Sequence, residues 1–200
     1  MSDKQLFLFC DLETTGLSVS TNDILEIACT LTAEDLLPIA SVHHYVKPRA
    51  GWAFGDDFVR NMHTQNGLLD TATHAGRDIA DVEDDLVQFL EAWTGDATVT
   101  IAGASVHFDL AFLREHAPRA ASRLHYRVFD VSTLKAAYRA WAGIDLWPKV
   151  EGSHRAVADV AEALEVARFF RRAFTAMPKT TSLAFDTLLA RGLALGAKQT

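Results

Sequence analysis

Asp11 and Glu13 lie in FCDLETTGL, Asp109 in ASVHFDLAFL, and His154 with Asp159 in GSHRAVADVAEAL. Four carboxylates and one imidazole are the residue types that two-metal cleavage of a phosphodiester needs. Carboxylates can hold two divalent cations, and an imidazole can take the proton of a water. Oxygen-only ligands favour hard cations. No single motif decides the matter; the three together, in this order, carry it.

Each motif also has a plainer explanation. On a strand, residues i and i+2 share a face, so Asp11 and Glu13 present their carboxylates side by side. Acids on an exposed strand end would look the same, but Phe7, Leu8 and Phe9 make this a buried strand, where unpaired carboxylates are costly without cations. Thr14, Thr15 and Gly16 offer backbone N–H groups and a tight turn beside them. Asp109 opens a helix, where an acid simply stabilises the helix dipole. His154 and Asp159 are five positions apart, roughly 140° around an ideal helix. They cannot share a helical face, so the histidine belongs on the preceding loop while the aspartate faces the sheet. A lone loop histidine is usually a surface residue, and the chain has eight histidines.

The elements that must position these groups follow from periodicity. Residues 5–10 form a compact apolar run, expected to be a buried strand, and a turn covers 16–22. Residues 23–32 and 40–46 read as second and third strands in a meander. The stretch 49–78, with Gly51, Gly55, Gly67 and Gly76, is expected to be irregular and to lie on the substrate side. Apolar residues in 79–93 fall at helical spacing. A short strand at 98–102, a helix at 108–116 ended by Pro118, a strand at 127–129 and a helix at about 131–142 follow. Trp147 and Pro148 mark a loop, and Ser153 can cap a long helix carrying Val157, Val160, Leu164 and Phe170. Pro178 breaks that pattern, and an amphipathic segment at 182–195 can dock on the body or on a partner chain. The expected fold class is α/β, a mixed central sheet flanked by helices, with a catalytic domain over 1–177 and an extension over 178–200.

Composition narrows the function classes. With 49% apolar and 22% charged residues, 200 residues suit one domain with a sizeable core. No apolar run approaches a membrane span, and the N-terminus has no secretion-signal pattern, so a cytoplasmic location is expected. Cys10 and Cys29 lie in apolar runs and read as buried thiols. The net charge of −7 argues against gripping long nucleic acid through many phosphate contacts, yet suits a short substrate held by a few.

On the three motifs, the chain resembles the DEDDh exonucleases, ribonuclease-H-like 3′→5′ exonucleases named for four acids and a histidine. The match covers residues 6–170. The resemblance implies a ribonuclease-H-like fold. It also implies that Asp11, Glu13, Asp109 and Asp159 bind two Mg²⁺ or Mn²⁺ ions, with His154 as general base and nucleoside 5′-monophosphates as products. Within the family, HYRVFDVSTLKAAYRAW (125–141) is most similar to oligoribonuclease, which cuts RNA dinucleotides. There an arginine and serines cap the substrate's 5′-phosphate, a role that would fall to Arg127, Ser132 and Ser105, with Thr133 nearby. A guanidinium and hydroxyls suit a terminal phosphate. Tyr126 matches a tyrosine supplied by the partner in a homodimer, Leu17 a leucine that wedges against a base, and Phe58 a base-stacking tryptophan. Plainer roles are a surface ion pair for Arg127 and core packing for Leu17 and Phe58.

Two departures from the oligoribonuclease pattern are Thr14, where methionine is usual, and Ala104, where asparagine is usual. The leading expectation is an exoribonuclease acting on dinucleotides and short single-stranded RNA. Its rival is a proofreading-type exonuclease acting on single-stranded DNA 3′ ends. An inactive nucleic-acid-binding module and a purely structural cation site are the alternatives from other classes.

Overall fold

A computed structural model describes residues 5–145 and 154–176. The chain divides into two compact units, Met1–Arg168 and Phe169–Thr200. In the first unit the elements run β1 (Gln5–Thr14), β2 (Ile24–Thr32), β3 (Pro38–Tyr45), α1 (Asp57–Gln65), α2 (Leu68–Ala75), α3 (Ile79–Thr94), β4 (Thr98–Gly103), α4 (His107–His116), α5 (Pro118–Ala121), β5 (Val128–Asp130) and α6 (Val131–Ala142). Helix α7 (Ala156–Ala176) follows. In the second unit the described residues are the last turns of α7, where the Phe169 and Phe170 rings meet edge to face with centroids 5.4 Å apart.

The sheet order is β3-β2-β1-β4-β5. Strands β1, β2 and β3 pair antiparallel, as the expected meander requires, while β1–β4 and β4–β5 are parallel. This is the mixed sheet expected from the sequence, with β1 at its centre. Central position explains the near-continuous apolar sequence of β1. Leu6, Leu8, Cys10 and Leu12 point to one face and join a core with Val82, Leu86 and Leu90 of α3 and Leu110 and Leu113 of α4. The other face carries Phe7 and Phe9, packed against Phe129 of β5 with ring centroids 5.2 and 6.2 Å away. Alternation places Asp11 and Glu13 on that same face, two and four residues beyond Phe9. Cys10 and Cys29 are buried free thiols opposite each other in the β1–β2 ladder. The contact with Cys29, together with burial, pushes the Cys10 thiol well above its usual range.

Two expectations need correction. Residues 49–78 are not irregular throughout but hold α1 and α2. Helix α1 starts because the Asp56 side chain accepts from the Val59 amide at 2.8 Å, and Gly67 turns the chain into α2 with φ of 75°. Helix α1 is sparsely apolar, so its cap, not its periodicity, marks it. Pro118 does not merely stop a helix: α4 ends at His116, and Pro118 opens α5, where its missing N–H removes nothing from the first turn. Trp147, Pro148, Ser153, Pro178 and the segment 182–195 lie outside the described residues. No described helix is long and apolar enough to cross a membrane.

Strand β1 continues past the end of its β4 partner, since their pairing stops at Phe9 and Ala102. Gly103 then turns away while passing the Cys10 carbonyl, and a Cβ there would lie 2.6 Å from that oxygen. That oxygen belongs to the backbone and the backbone fixes the Cβ direction, so neither atom can rotate aside. Gly103→Ala is therefore expected to destabilise by about 1–3 kcal/mol, as overpacking does, which a denaturant titration measures. An unchanged midpoint would mean the fork between β1 and β4 is looser than this.

Candidate active site

Beyond Phe9, the β4-facing edge of β1 has lost its strand partner, and α4 fills the gap. Asp109, in the first turn of α4, accepts the Leu12 N–H through Oδ1 at 2.9 Å. The carboxylate is 5% exposed, and burial pushes its pKa up to about 7 although backbone hydrogen bonds act the other way.

Asp11 and Glu13 meet Asp159, which lies in the first turn of α7, and each of the three offers a carboxylate oxygen within 4.8 Å of the others. Burial first, then the neighbouring carboxylates Asp109, Asp159 and Glu13, push Asp11 up to about 9. Burial together with Asp159 and Glu26 pushes Glu13 up to about 8. Asp159 is raised too, by burial, with His154 opposing the shift. So many carboxylates in a half-desolvated site are left with two remedies, protons or cations. An all-oxygen donor set of this density fits hard divalent ions. Asp109 is not one of the three close groups, and its Oδ1 is turned to the Leu12 amide. It reaches the cluster through its effect on Asp11. A cleft of about 230 Å³ opens beside these acids, lined by Asp11, Ala104, Val131, Lys135, Asp159 and Glu162.

His154 precedes α7, off the helix as its spacing from Asp159 requires, with its side chain exposed. Its φ of 47° is in the left-handed region, and its carbonyl accepts from Asn66 Nδ2 at 2.9 Å. The backbone N–H expected from Thr15 is not offered to the acids. It donates to the Asp23 carbonyl at 2.8 Å, while Thr15 Oγ1 accepts the Asp23 N–H at 2.9 Å. Those two bonds close the DLETTG turn. Gly16 is pressed so near Gly55 that a Cβ on it would lie 2.9 Å from the Gly55 Cα.

The remaining expected residues fall into two sets. Ser105 and Ser132 come together, hydroxyl to hydroxyl at 3.4 Å, because Asp130 Oδ1 accepts both of their amides, at 3.0 and 2.8 Å. Arg127 is exposed, its guanidinium stacked 5.1 Å above the Tyr126 ring, and Thr133 is exposed on α6. Leu17 and Phe58 are 74% and 72% exposed. Neither is core, so the plainer role for both is corrected. They leave the Gly16–Gly55 contact from neighbouring segments.

Two groups beside the acids were not anticipated. His63 of α1 is fully buried, donates from Nε2 to the Thr14 carbonyl at 3.0 Å, and sits 3.7 Å from Glu13 Oε2. Burial lowers its pKa, against the opposing pull of the Thr14 carbonyl. Nothing distinguishes it in sequence from the other histidines. Glu26 of β2, opposite Glu13, is also fully buried and bound by Arg155. Its signal was available: a lone acid inside the apolar run ILEIACTLT.

The chain is similar to several known proteins. The sequence profile of a family described as "Exonuclease" matches residues 8–167. The oligoribonuclease of Vibrio parahaemolyticus is 34% identical over 177 residues, covering 85% of this chain and 95% of that protein. The mitochondrial oligoribonuclease of Mus musculus is 32% identical over 171 residues, covering 84% and 72%. Among solved structures, Escherichia coli exonuclease I in complex with single-stranded DNA superposes with a TM-score of 0.68 at 19% identity, over 94% of this chain. This chain spans only 43% of the exonuclease I chain, and the likeness concerns the fold, which is ribonuclease-H-like. With the family profile matching most of the chain, the chain belongs to the exonuclease family, with oligoribonucleases among its relatives.

Proposed function

We propose that this chain is a metal-dependent 3′→5′ exoribonuclease that hydrolyses dinucleotides and short oligoribonucleotides to nucleoside 5′-monophosphates. The observation that carries this reading is the convergence of Asp11, Glu13 and Asp159 within 4.8 Å, in a chain whose relatives are oligoribonucleases. Asp11, Glu13, Asp109 and Asp159 would hold two Mg²⁺ or Mn²⁺ ions, which supply water activation and stabilise charge on the phosphate and the departing 3′-oxygen. His154 accepts the proton of the attacking water through an imidazole nitrogen. The water oxygen bonds to phosphorus, the P–O3′ bond breaks, and the released nucleotide keeps the phosphate on its 5′-oxygen. Leu17 and Phe58 pack against the bases. Ser105 and Ser132, already held together by Asp130, and Arg127 cap the substrate's own 5′-phosphate. Tyr126, exposed and stacked with Arg127, serves the partner's site in a homodimer. A cytoplasmic location accords with short RNA as substrate.

The test is Mg²⁺-dependent turnover of 5′-phosphorylated RNA dinucleotide, short oligomer and long strand, with matched DNA. A marked preference for the RNA dinucleotide is expected. Steady digestion of long DNA would replace this reading with a DNA exonuclease acting on 3′ ends. Arg127→Ala is expected to lower kcat/KM for the dinucleotide by about 10–100-fold, the loss of a charged hydrogen-bonded contact worth about 1.5–3 kcal/mol. Longer strands should lose only a few-fold. Equal losses on both would remove the cap.

A further inference from the structure

Glu26 has a buried carboxylate in register with Glu13, the worst place in the sheet for another negative charge. A buried charge persists only when paired and hydrogen-bonded. Glu26 accepts from Arg155 Nε at 3.1 Å, Arg155 Nη2 at 3.3 Å, the Ala156 amide at 3.2 Å and His43 Nε2 at 2.7 Å. Arg155 Nη2 also donates to Tyr45 Oη at 2.6 Å, and its guanidinium lies 5.5 Å above the Tyr45 ring. Arg155 is thereby fixed to β2 and β3, and it is the residue that directly follows His154.

His154 itself is held in an unfavourable conformation. A left-handed φ costs an L-residue with a side chain about 1–2 kcal/mol. Such strain persists only where the surroundings enforce it. Here Arg155 grips the chain on one side, and Asn66 Nδ2 holds the His154 carbonyl at 2.9 Å. The backbone is pinned while the imidazole stays free to face solvent and substrate.

We infer that Glu26, Arg155 and Asn66 are positioning residues that set the His154 imidazole against the attacking water. This rests on the reading of His154 as general base. Displacement of a reacting group by about 1 Å can lower a rate about 10²-fold, so a rigid backbone at His154 has kinetic value beyond stability. Glu26 lies outside the four-acid set and supplies this role through Arg155.

The experiment is a double-mutant cycle of Arg155→Ala and His154→Ala on 5′-phosphorylated RNA dinucleotide, with kcat and KM separated. Mn²⁺ binding is followed in parallel by electron paramagnetic resonance without substrate. Arg155→Ala alone is expected to lower kcat about 30–100-fold, with KM and Mn²⁺ affinity each within about 3-fold of wild type. In the His154→Ala background the same change should cost under about 3-fold, because the group being positioned is gone. Equal losses in both backgrounds would overturn the inference, and so would a Mn²⁺ affinity that falls in step with kcat. Asn66→Ala repeats the cycle without touching the buried charge, should Arg155→Ala fold poorly. About a 10-fold loss that vanishes without His154 is expected, and an additive loss counts against the clamp. If His154→Ala retains wild-type turnover, the base assignment fails and the clamp with it. If His154→Ala is impaired and the second loss is additive, the clamp alone fails.

Discussion

Asp11→Asn should remove hydrolysis and at the same time raise the melting temperature of the metal-free protein. The first effect follows from the position of Asp11 in the acid cluster. Charge stabilisation by a bound divalent ion is worth several kcal/mol, and about 1.4 kcal/mol is tenfold, so kcat should fall by about 10³-fold or more. The second follows from the sign of the titration. The folded-state pKa of Asp11, about 9, lies far above its ordinary value of 3.8. Between those values the folded chain keeps a proton that the unfolded chain has released. Its contribution to stability is therefore fully present below about pH 4 and is lost as pH rises through about 9. Asparagine cannot ionise, so the variant escapes that loss. In a chelator-containing buffer at pH 8 it should melt about 3 °C or more above wild type, with a flatter dependence on pH. Added Mg²⁺ should stabilise the wild type and do little for the variant. Melting curves with and without the ion, from pH 6 to 9, measure all of this. Identical curves would mean that burial and the neighbouring carboxylates do not hold a proton on Asp11.

His154→Ala should produce the opposite pairing, a large kinetic loss with no thermal signature. A general base contributes about 10²–10⁴-fold, and the loss should appear in kcat. The side chain is exposed and only its carbonyl is hydrogen-bonded to the body, so the melting temperature should hold to within about 2 °C. Mn²⁺ affinity should hold as well. A kcat within threefold of wild type would take His154 out of the chemistry. The two variants together separate what binds ions from what moves the proton.

The sheet was largely legible, β1 from its compact apolar run and β3 from its alternation, because a central strand buried on both sides has little freedom in composition. Its length was not. The apolar run 5–10 understates β1 by four residues, since Asp11–Thr14 break the hydrophobic pattern while still pairing with β2. The acids that end the pattern are the very residues the strand exists to present. Helices α1 and α2 were hidden for a related reason: α1 is sparsely apolar, with only the local Asp56 cap to mark it, and the burial of His63 depends on the fold around it. The motif acids were readable because oxygen ligands come in few residue types. Their supports were less so: Glu26 stood out as a lone acid in an apolar run, but its partner Arg155 is 129 positions away and only the fold joins them. The Thr15 amide was misjudged because a free N–H in sequence has no visible partner, and Asp23 is eight positions away.

The acids at the end of β1 are closed over by α7, and that order has a consequence for synthesis. A nascent chain that has reached Ala142 already contains every described strand of the sheet, with Asp11, Glu13 and Asp109 among its residues. It still lacks Asp159 and His154, which emerge last. The three-carboxylate cluster is thus completed only after the described strands have been made, so formation of the sheet can precede assembly of the candidate site on the ribosome.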